Sequence, residues 1–115
     1  MERIFIETYA FKKLIDQLNN KELEKDIKEE ILKDPLRGDI ISGTGGIRKL
    51  RVANKMSKKG KSSSFRVLYF DLPDVRTTFL ILVYGKSDIE NISAIEIKEI
   101  KALAEALKNE YKEKN

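Results

Sequence analysis

The sequence predicts an α+β domain in which helices pack on one small antiparallel sheet. Two observations lead to this class. Short runs rich in β-branched and aromatic residues, which favour strands, occur near the N-terminus and again in the second half of the chain. Between and after them, apolar residues recur at spacings of three and four, which is typical of helices with one buried face. The predicted order is β-α-α-β-β-β-α, in a single domain spanning residues 1–115.

The first third of the chain predicts a strand and then a helical hairpin. Residues 3–7 favour a strand, and Thr8 is suited to cap a helix after it. Asn20 is suited to cap a second helix, which ends at Asp34 because the residue before a proline is pushed out of the α region. The apolar faces of these two helices are predicted to contain Phe11, Leu14, Ile15, Leu18, Leu23, Ile27 and Ile31.

The second half predicts three consecutive strands joined by short links, which is an antiparallel meander. A loop with four glycines precedes the first strand, and a basic loop over about 53–63 follows it. The third strand is almost wholly apolar, as expected of a central strand covered on both faces. The strands are predicted at residues 47–52, 64–70 and 77–84.

A helix is predicted to close the chain. Ser93 and Glu96 fit a capping box, in which the serine accepts from the backbone N–H of the glutamate and the carboxylate reaches back. Residues 110–115 are expected to fray. The predicted buried positions are Ile97, Ile100, Ala104, Leu107 and Tyr111.

The composition excludes several kinds of chemistry. The chain has no cysteine and no histidine, which removes disulfides, thiolate chemistry and the usual metal ligand and general base. We therefore expect neither a metal nor a cofactor. No stretch approaches the length of a membrane span, and the N-terminus does not read as a signal peptide. The expected compartment is the cytoplasm, without a membrane partner.

Positive charge is concentrated in one part of the chain. Residues 40–70 hold eight basic and no acidic residues, whereas the rest of the chain holds 15 basic and 19 acidic residues. Cations grouped in this way repel one another unless a polyanion or the acidic groups of a partner lie opposite. The eight are Arg48, Lys49, Arg51, Lys55, Lys58, Lys59, Lys61 and Arg66.

Two of these cations indicate a site for a polyanion. Lys49 and Arg51 project from one face of a predicted strand, about 7 Å apart by the rise of a strand. This distance is close to the phosphate spacing along a nucleic-acid strand. The lysines of residues 58–61 carry less information, because a solvated loop has the same composition.

Other features have both a functional and a structural interpretation. The glycines of residues 43–46 could present N–H groups to a phosphate, although they lack the spacing of a P-loop and a tight turn also explains them. Lys86 follows the apolar strand, where burial and neighbouring cations favour a neutral amine, but it could also pair with Asp88. Tyr69 and Tyr84 could contact RNA or simply pack in the core.

The segment SGTGGIRKLR at residues 42–51 resembles the "GTGGxRKxR" block of the RelE-like toxins, specifically the HigB-type branch. The resemblance covers nearly the whole chain. Further matches, in the same order and spacing, are FIET at residues 5–8, the loop at 34–39, FRVLYF at 65–70 and VYGKSD at 83–88. The last of these resembles the "Y-A-K-x-E" pattern of the family, from which Gly85 and Asp88 depart.

The resemblance implies a toxin of a bacterial toxin–antitoxin pair that cleaves mRNA in the ribosomal A site. The reaction would be attack of a ribose 2′-OH on the adjacent phosphate, with a 5′-OH leaving and no metal. Its partners would be mRNA, the 70S ribosome and a helix-turn-helix antitoxin. The toxin would contact operator DNA only through this antitoxin. The implied catalytic residues are Lys49, Arg51, Arg66, Tyr84 and Lys86, and the implied contacts to mRNA or rRNA are Arg48, Lys55, Lys58, Lys59 and Lys61.

The roles within this set are only partly assigned. Arginine stays protonated and binds phosphate through two N–H groups, so Arg51 and Arg66 suit charge stabilisation. Lys49 or Lys86 is the better candidate for proton transfer. The alternative function is a non-catalytic module that binds RNA or DNA, or a degenerate toxin that only binds its antitoxin. Joint retention of Lys49, Arg66 and Lys86 favours the enzyme.

Overall fold

The computed structural model describes residues 2–55, 64–85 and 94–113, which form a five-stranded sheet with helices on both faces. The predicted α+β class is confirmed. The capping box predicted at Ser93 lies outside the described residues. The elements are β1 (Ile4–Glu7), α1 (Tyr9–Leu18), α2 (Leu23–Lys33), β2 (Asp39–Ile40), β3 (Arg48–Ala53), β4 (Ser64–Leu72), a 3-10 turn (Pro73–Val75), β5 (Thr77–Gly85) and α3 (Ala94–Glu113).

The sheet is mixed, with the strand order β1-β5-β4-β3-β2. The predicted meander is present as β3, β4 and β5, each antiparallel to the next. β1, however, pairs parallel with β5, from Ile4 opposite Thr77 to Glu7 opposite Leu80. The expectation of a wholly antiparallel sheet is therefore wrong. After β1, the helical hairpin carries the chain across one face of the sheet to the opposite edge, where β2 lies. β5 can therefore pair in parallel with β1 at the first edge.

The glycine-rich loop contains a short strand and a tight turn. β2, which was not predicted, adds two residues to the edge of β3. In the turn, the Thr44 hydroxyl donates to the Ile41 carbonyl at 2.7 Å and accepts from the Ile47 N–H at 3.1 Å. Gly43 and Gly45 have positive φ angles of 81° and 79°, which favour glycine. The tight turn is thus the interpretation that the structure supports.

The two helices of the hairpin begin differently. Thr8 caps α1 as predicted, since its hydroxyl oxygen accepts from the Phe11 N–H at 3.1 Å. The cap predicted at Asn20 is wrong. Residues 20–22 turn before α2 starts, the Leu23 N–H donates to the Asn20 backbone carbonyl, and no side chain caps the helix.

Each face of the sheet has its own apolar core. The hairpin covers one face, where Leu50 and Val52 of β3 are buried. α3 covers part of the other face, which we call the α3 face, and packs Ile100 and Ala104 against it. α3 is helical as far as Glu113, through most of the region expected to fray, and Tyr111 packs edge-on against Phe79 at 5.4 Å between ring centroids. Within the described residues, no helix is long and apolar enough to cross a membrane.

Candidate functional site

Three polar side chains form a row across the middle of the sheet. Arg51 of β3 lies opposite Arg66 of β4, and Arg66 lies opposite Tyr84 of β5. Their strand neighbours on either side, such as Leu50 and Val67, point to the hairpin. Because side chains alternate along a strand, the three residues share the α3 face. We call them the cationic row.

Lys49 extends this row along β3. It lies two residues before Arg51, so it projects from the same face, and both side chains are exposed. Among the described residues, no carboxylate lies within ion-pair distance of Lys49, Arg51 or Arg66, whereas Arg3 and Lys28 on other surfaces are paired with acids. The site therefore holds three cations that form no ion pair within the described part of the chain, although Asp39 of β2 lies opposite Lys49 in the sheet.

Arg66 is the best-anchored member of the row. Its Nη1 donates to the Ser64 hydroxyl at 2.5 Å and to the Ser64 carbonyl at 3.3 Å. Ser64 was not singled out from the sequence. The sequence feature that indicates its role is its position two residues before Arg66 in a predicted strand, because residues at this spacing share one face.

Tyr84 supplies a buried phenol at the end of the row. Only 6% of the residue is exposed. Burial raises the pKa of the Tyr84 hydroxyl above its ordinary value, and the positive charge of Arg66 opposes this shift without cancelling it. The hydroxyl is therefore protonated at neutral pH, and it can donate a hydrogen bond or a proton but not act as a base.

Arg48 lies apart from the row, on the hairpin side. Its guanidinium donates to the carbonyls of Leu36 at 3.0 Å and Gly38 at 2.7 Å. These bonds fix the loop that precedes β2. The side chain predicted to contact RNA therefore has a structural use in the free protein.

Tyr69 has the core role that the sequence left open. Its hydroxyl donates to the Pro35 carbonyl at 2.8 Å and accepts from the Gly38 N–H at 3.0 Å. Burial raises its pKa, against weaker opposing effects of the Gly38 N–H and Arg48. Tyr69 is fully buried under the hairpin and does not face the row.

Of the remaining predicted cations, the structure describes only Lys55, and this residue does not lie at the cationic row. Lys55 follows β3 and pairs with Asp26 of α2, at 3.3 Å between Nζ and Oδ1, so it lies on the hairpin side. The other predicted residues lie outside the described residues, namely Lys58, Lys59, Lys61 and Lys86. Lys86 directly follows Gly85, the last residue of β5.

The arrangement suits a phosphate-containing substrate. Two guanidiniums and an ammonium bind and neutralise phosphate oxygens, and the neighbouring phenol supplies a proton. Within residues 2–55, 64–85 and 94–113, no group of three or more potential ligands could hold a metal ion. The described side chains at this site are cations and one proton donor.

The fold and this site define a small α+β protein with a cationic sheet face. The model of the family described as "RelE toxin of RelE / RelB toxin-antitoxin system" matches residues 2–114. The chain belongs to this family. A toxin of this family has an antitoxin as its partner, and such toxins are typically inhibitors of translation and generally endoribonucleases.

Proposed function

We propose that this chain is a ribosome-dependent endoribonuclease that cleaves mRNA in the ribosomal A site. The observation that carries the proposal is the cationic row, with Arg51, Arg66 and Tyr84 in register on three adjacent strands and Lys49 beside them. Cations that share one sheet face without ion-pair partners in the described part of the chain are unfavourable for the free fold, and a polyanionic substrate removes the repulsion.

The arginines stabilise charge in the proposed reaction. Attack of a ribose 2′-OH on the adjacent phosphorus places extra negative charge on the non-bridging oxygens in the transition state. Arg51 and Arg66 stay protonated and offer several N–H groups each, so they bind those oxygens more strongly as their charge grows. The 2′-oxygen forms a bond to phosphorus while the bond to the 5′-oxygen breaks.

Proton transfer falls to the other residues. The 2′-OH must lose a proton and the departing 5′-oxygen must gain one. Tyr84 keeps its proton at neutral pH and therefore serves as a donor, to a phosphate oxygen or to the 5′-oxygen. Lys49 and Lys86 are the candidates for accepting the proton of the 2′-OH, because a lysine that has first released its own proton has a free amine to accept it, whereas an arginine stays protonated.

The biological context follows from the same proposal. The antitoxin is proposed to be a helix-turn-helix protein that connects the toxin to operator DNA, and the compartment to be the cytoplasm. The glycine-rich block at residues 42–51 supports placement in the HigB-type branch.

The test is cleavage during in vitro translation. Purified protein is added to a translation reaction, and mRNA 5′ ends are mapped with and without ribosomes. We expect cuts at A-site codons only when ribosomes are present. Binding to RNA or antitoxin without any cut would instead support the non-catalytic alternative.

A matched pair of variants connects this activity with the site. Arg66→Ala should abolish cleavage while thermal melting shows an intact fold. Arg76→Ala removes an exposed arginine at the turn before β5 and should leave cleavage unchanged. Full cleavage by the Arg66 variant would remove this residue from the site.

A further inference from the structure

We propose that Ser64 is a positioning residue for the reaction, because it holds the Arg66 guanidinium in the orientation that binds the scissile phosphate. The inference rests on the proposed function and adds to it a residue that is neither a cation nor a phenol. It starts from a contact within a single strand, between the Ser64 hydroxyl and Nη1 of Arg66.

Ser64 is the residue of β4 that precedes Arg66 on the α3 face and is close enough to contact its side chain. Residues i and i+2 of a strand share a face, and Ser64 lies two residues before the arginine. The hydroxyl and the carbonyl of Ser64 both accept from Nη1. A second acceptor limits rotation of the planar group, which one bond alone would allow.

The neighbours of Arg66 do not hold it in other ways. Arg51 on one side repels it. Tyr84 on the other side lies close enough for its pKa to respond to the charge of Arg66, but in the described residues no hydrogen bond joins the two side chains. In the described part of the chain, no carboxylate is close enough to orient the guanidinium. Serine is a neutral acceptor, so it orients Arg66 without neutralising the charge that the phosphate requires.

The bond also leaves most donors of Arg66 available. A guanidinium has five N–H groups, and the contacts to Ser64 use only Nη1. The remaining edge can bind two oxygens of one phosphate. A carboxylate in place of Ser64 would hold the arginine more tightly but would compete with the substrate, which explains why a hydroxyl suits this position.

The first measurement needs no activity. ¹⁵N NMR of arginine side chains reports how freely the Arg66 guanidinium rotates. We expect restricted rotation of the guanidinium in the wild-type protein and in Ser64→Thr, which keeps the hydroxyl. In Ser64→Ala we expect faster rotation, which averages the signals of the guanidinium N–H groups. Equal signals from the wild type and Ser64→Ala would overturn the proposed role of Ser64 whether or not the protein cleaves RNA.

The second measurement is the single-turnover rate of mRNA cleavage on ribosomes. Ser64→Ala should lower the maximal rate about tenfold, the order expected for one hydrogen bond to a charged group, and change the half-saturating toxin concentration less than twofold. Ser64→Thr should restore most of the rate. Ser42→Ala, at an exposed serine of the glycine-rich loop, is the matched control and should have no effect.

A coupling test separates positioning from a general loss of structure. In an Arg66→Lys background there is no guanidinium to orient, so Ser64→Ala should lower the remaining rate less than twofold. A tenfold loss in that background as well would show that Ser64 acts independently of Arg66. Absence of cleavage by the wild-type protein would overturn the proposed function, and the NMR measurement would still decide the contact.

Discussion

Arg51 and Arg66 lie directly opposite each other on β3 and β4, with like charges facing across the strand pair. Like charges in this position are destabilising, by about 1 kcal/mol in a water-exposed setting. The hydrophobic core on the other face compensates for this cost. The pair is unfavourable for folding alone and favourable for a site that receives phosphate.

The first prediction concerns the cost of this pair. Arg51→Thr removes the repulsion and places a strand-favouring residue on β3, so the free energy of unfolding should rise by about 0.5–1 kcal/mol, equivalent to a few degrees in melting temperature. Cleavage should fall at least tenfold.

The control for this prediction lies on the same strand. Lys49→Thr makes the same type of change at a residue whose cross-strand neighbours are Leu68 of β4 and Asp39 of β2 instead of an arginine. Its gain in stability should be smaller. An equal gain in the two variants, measured by urea unfolding, would show that strand propensity and not charge is responsible.

The second prediction concerns the phenol of Tyr84. Tyr84→Phe keeps the buried ring and removes only the hydroxyl, so the melting temperature should change by no more than about 2 °C. The maximal cleavage rate should fall about 10- to 100-fold if the hydroxyl is the proton donor. Tyr9→Phe, at a residue that is 82% exposed on α1, is the control and should leave both values unchanged.

The third prediction separates Tyr69 from the site. Tyr69→Phe leaves the Gly38 N–H and the Pro35 carbonyl without their partner in a buried setting, which should cost about 1–3 kcal/mol of stability. Cleavage by the folded protein should be normal, because Tyr69 faces the hairpin. A selective loss of cleavage without loss of stability would contradict this assignment.

The fourth prediction is a pH dependence that arises away from the site. Glu7 of β1 lies near Glu24 and Lys28 of α2. Burial, and then the neighbouring Glu24 carboxylate, raise the pKa of Glu7 above its ordinary value of 4.5, although Lys28 opposes this. The pKa of Glu24 is lowered, mainly by its hydrogen bond from Lys28.

The sign follows from proton binding. Between the ordinary pKa of Glu7 and its higher pKa in the folded protein, the folded state binds more protons than the unfolded state, so this group reduces stability as pH rises through that window. Glu7→Gln should therefore be more stable than the wild type at pH 7, by less than about 1 kcal/mol, with the difference vanishing toward pH 4. Urea unfolding at several pH values checks this, with Glu2→Gln as an exposed control. A loss of stability at pH 7 would mean that the bond to Lys28 dominates.

The alternation of β3 made the faces of its side chains predictable. Lys49 and Arg51 alternate with Leu50 and Val52, so the assignment of faces required only the period of a strand, and the structure agrees. The cap at Thr8 was similarly local, because a hydroxyl before an amphipathic stretch needs no distant contact to act.

The features that were missed depend on contacts between distant parts of the chain. The parallel pairing of β1 with β5 joins residues more than 70 positions apart, and nothing local encodes it. Lys55 belongs to the basic segment by sequence, but Asp26 of α2 draws it to the hairpin side. Asn20 is a residue type that often caps helices, yet the backbone turn at residues 20–22 determines where α2 begins.

The register of β3 makes the core and the site inseparable. A slip of one residue relative to β4 would turn Leu50 and Val52 toward water and bury Lys49 and Arg51 under the hairpin. Such a chain would lose the apolar contacts that make it fold. Keeping the buried half of this strand in place therefore also keeps its cations oriented, and folding itself presents them at the surface.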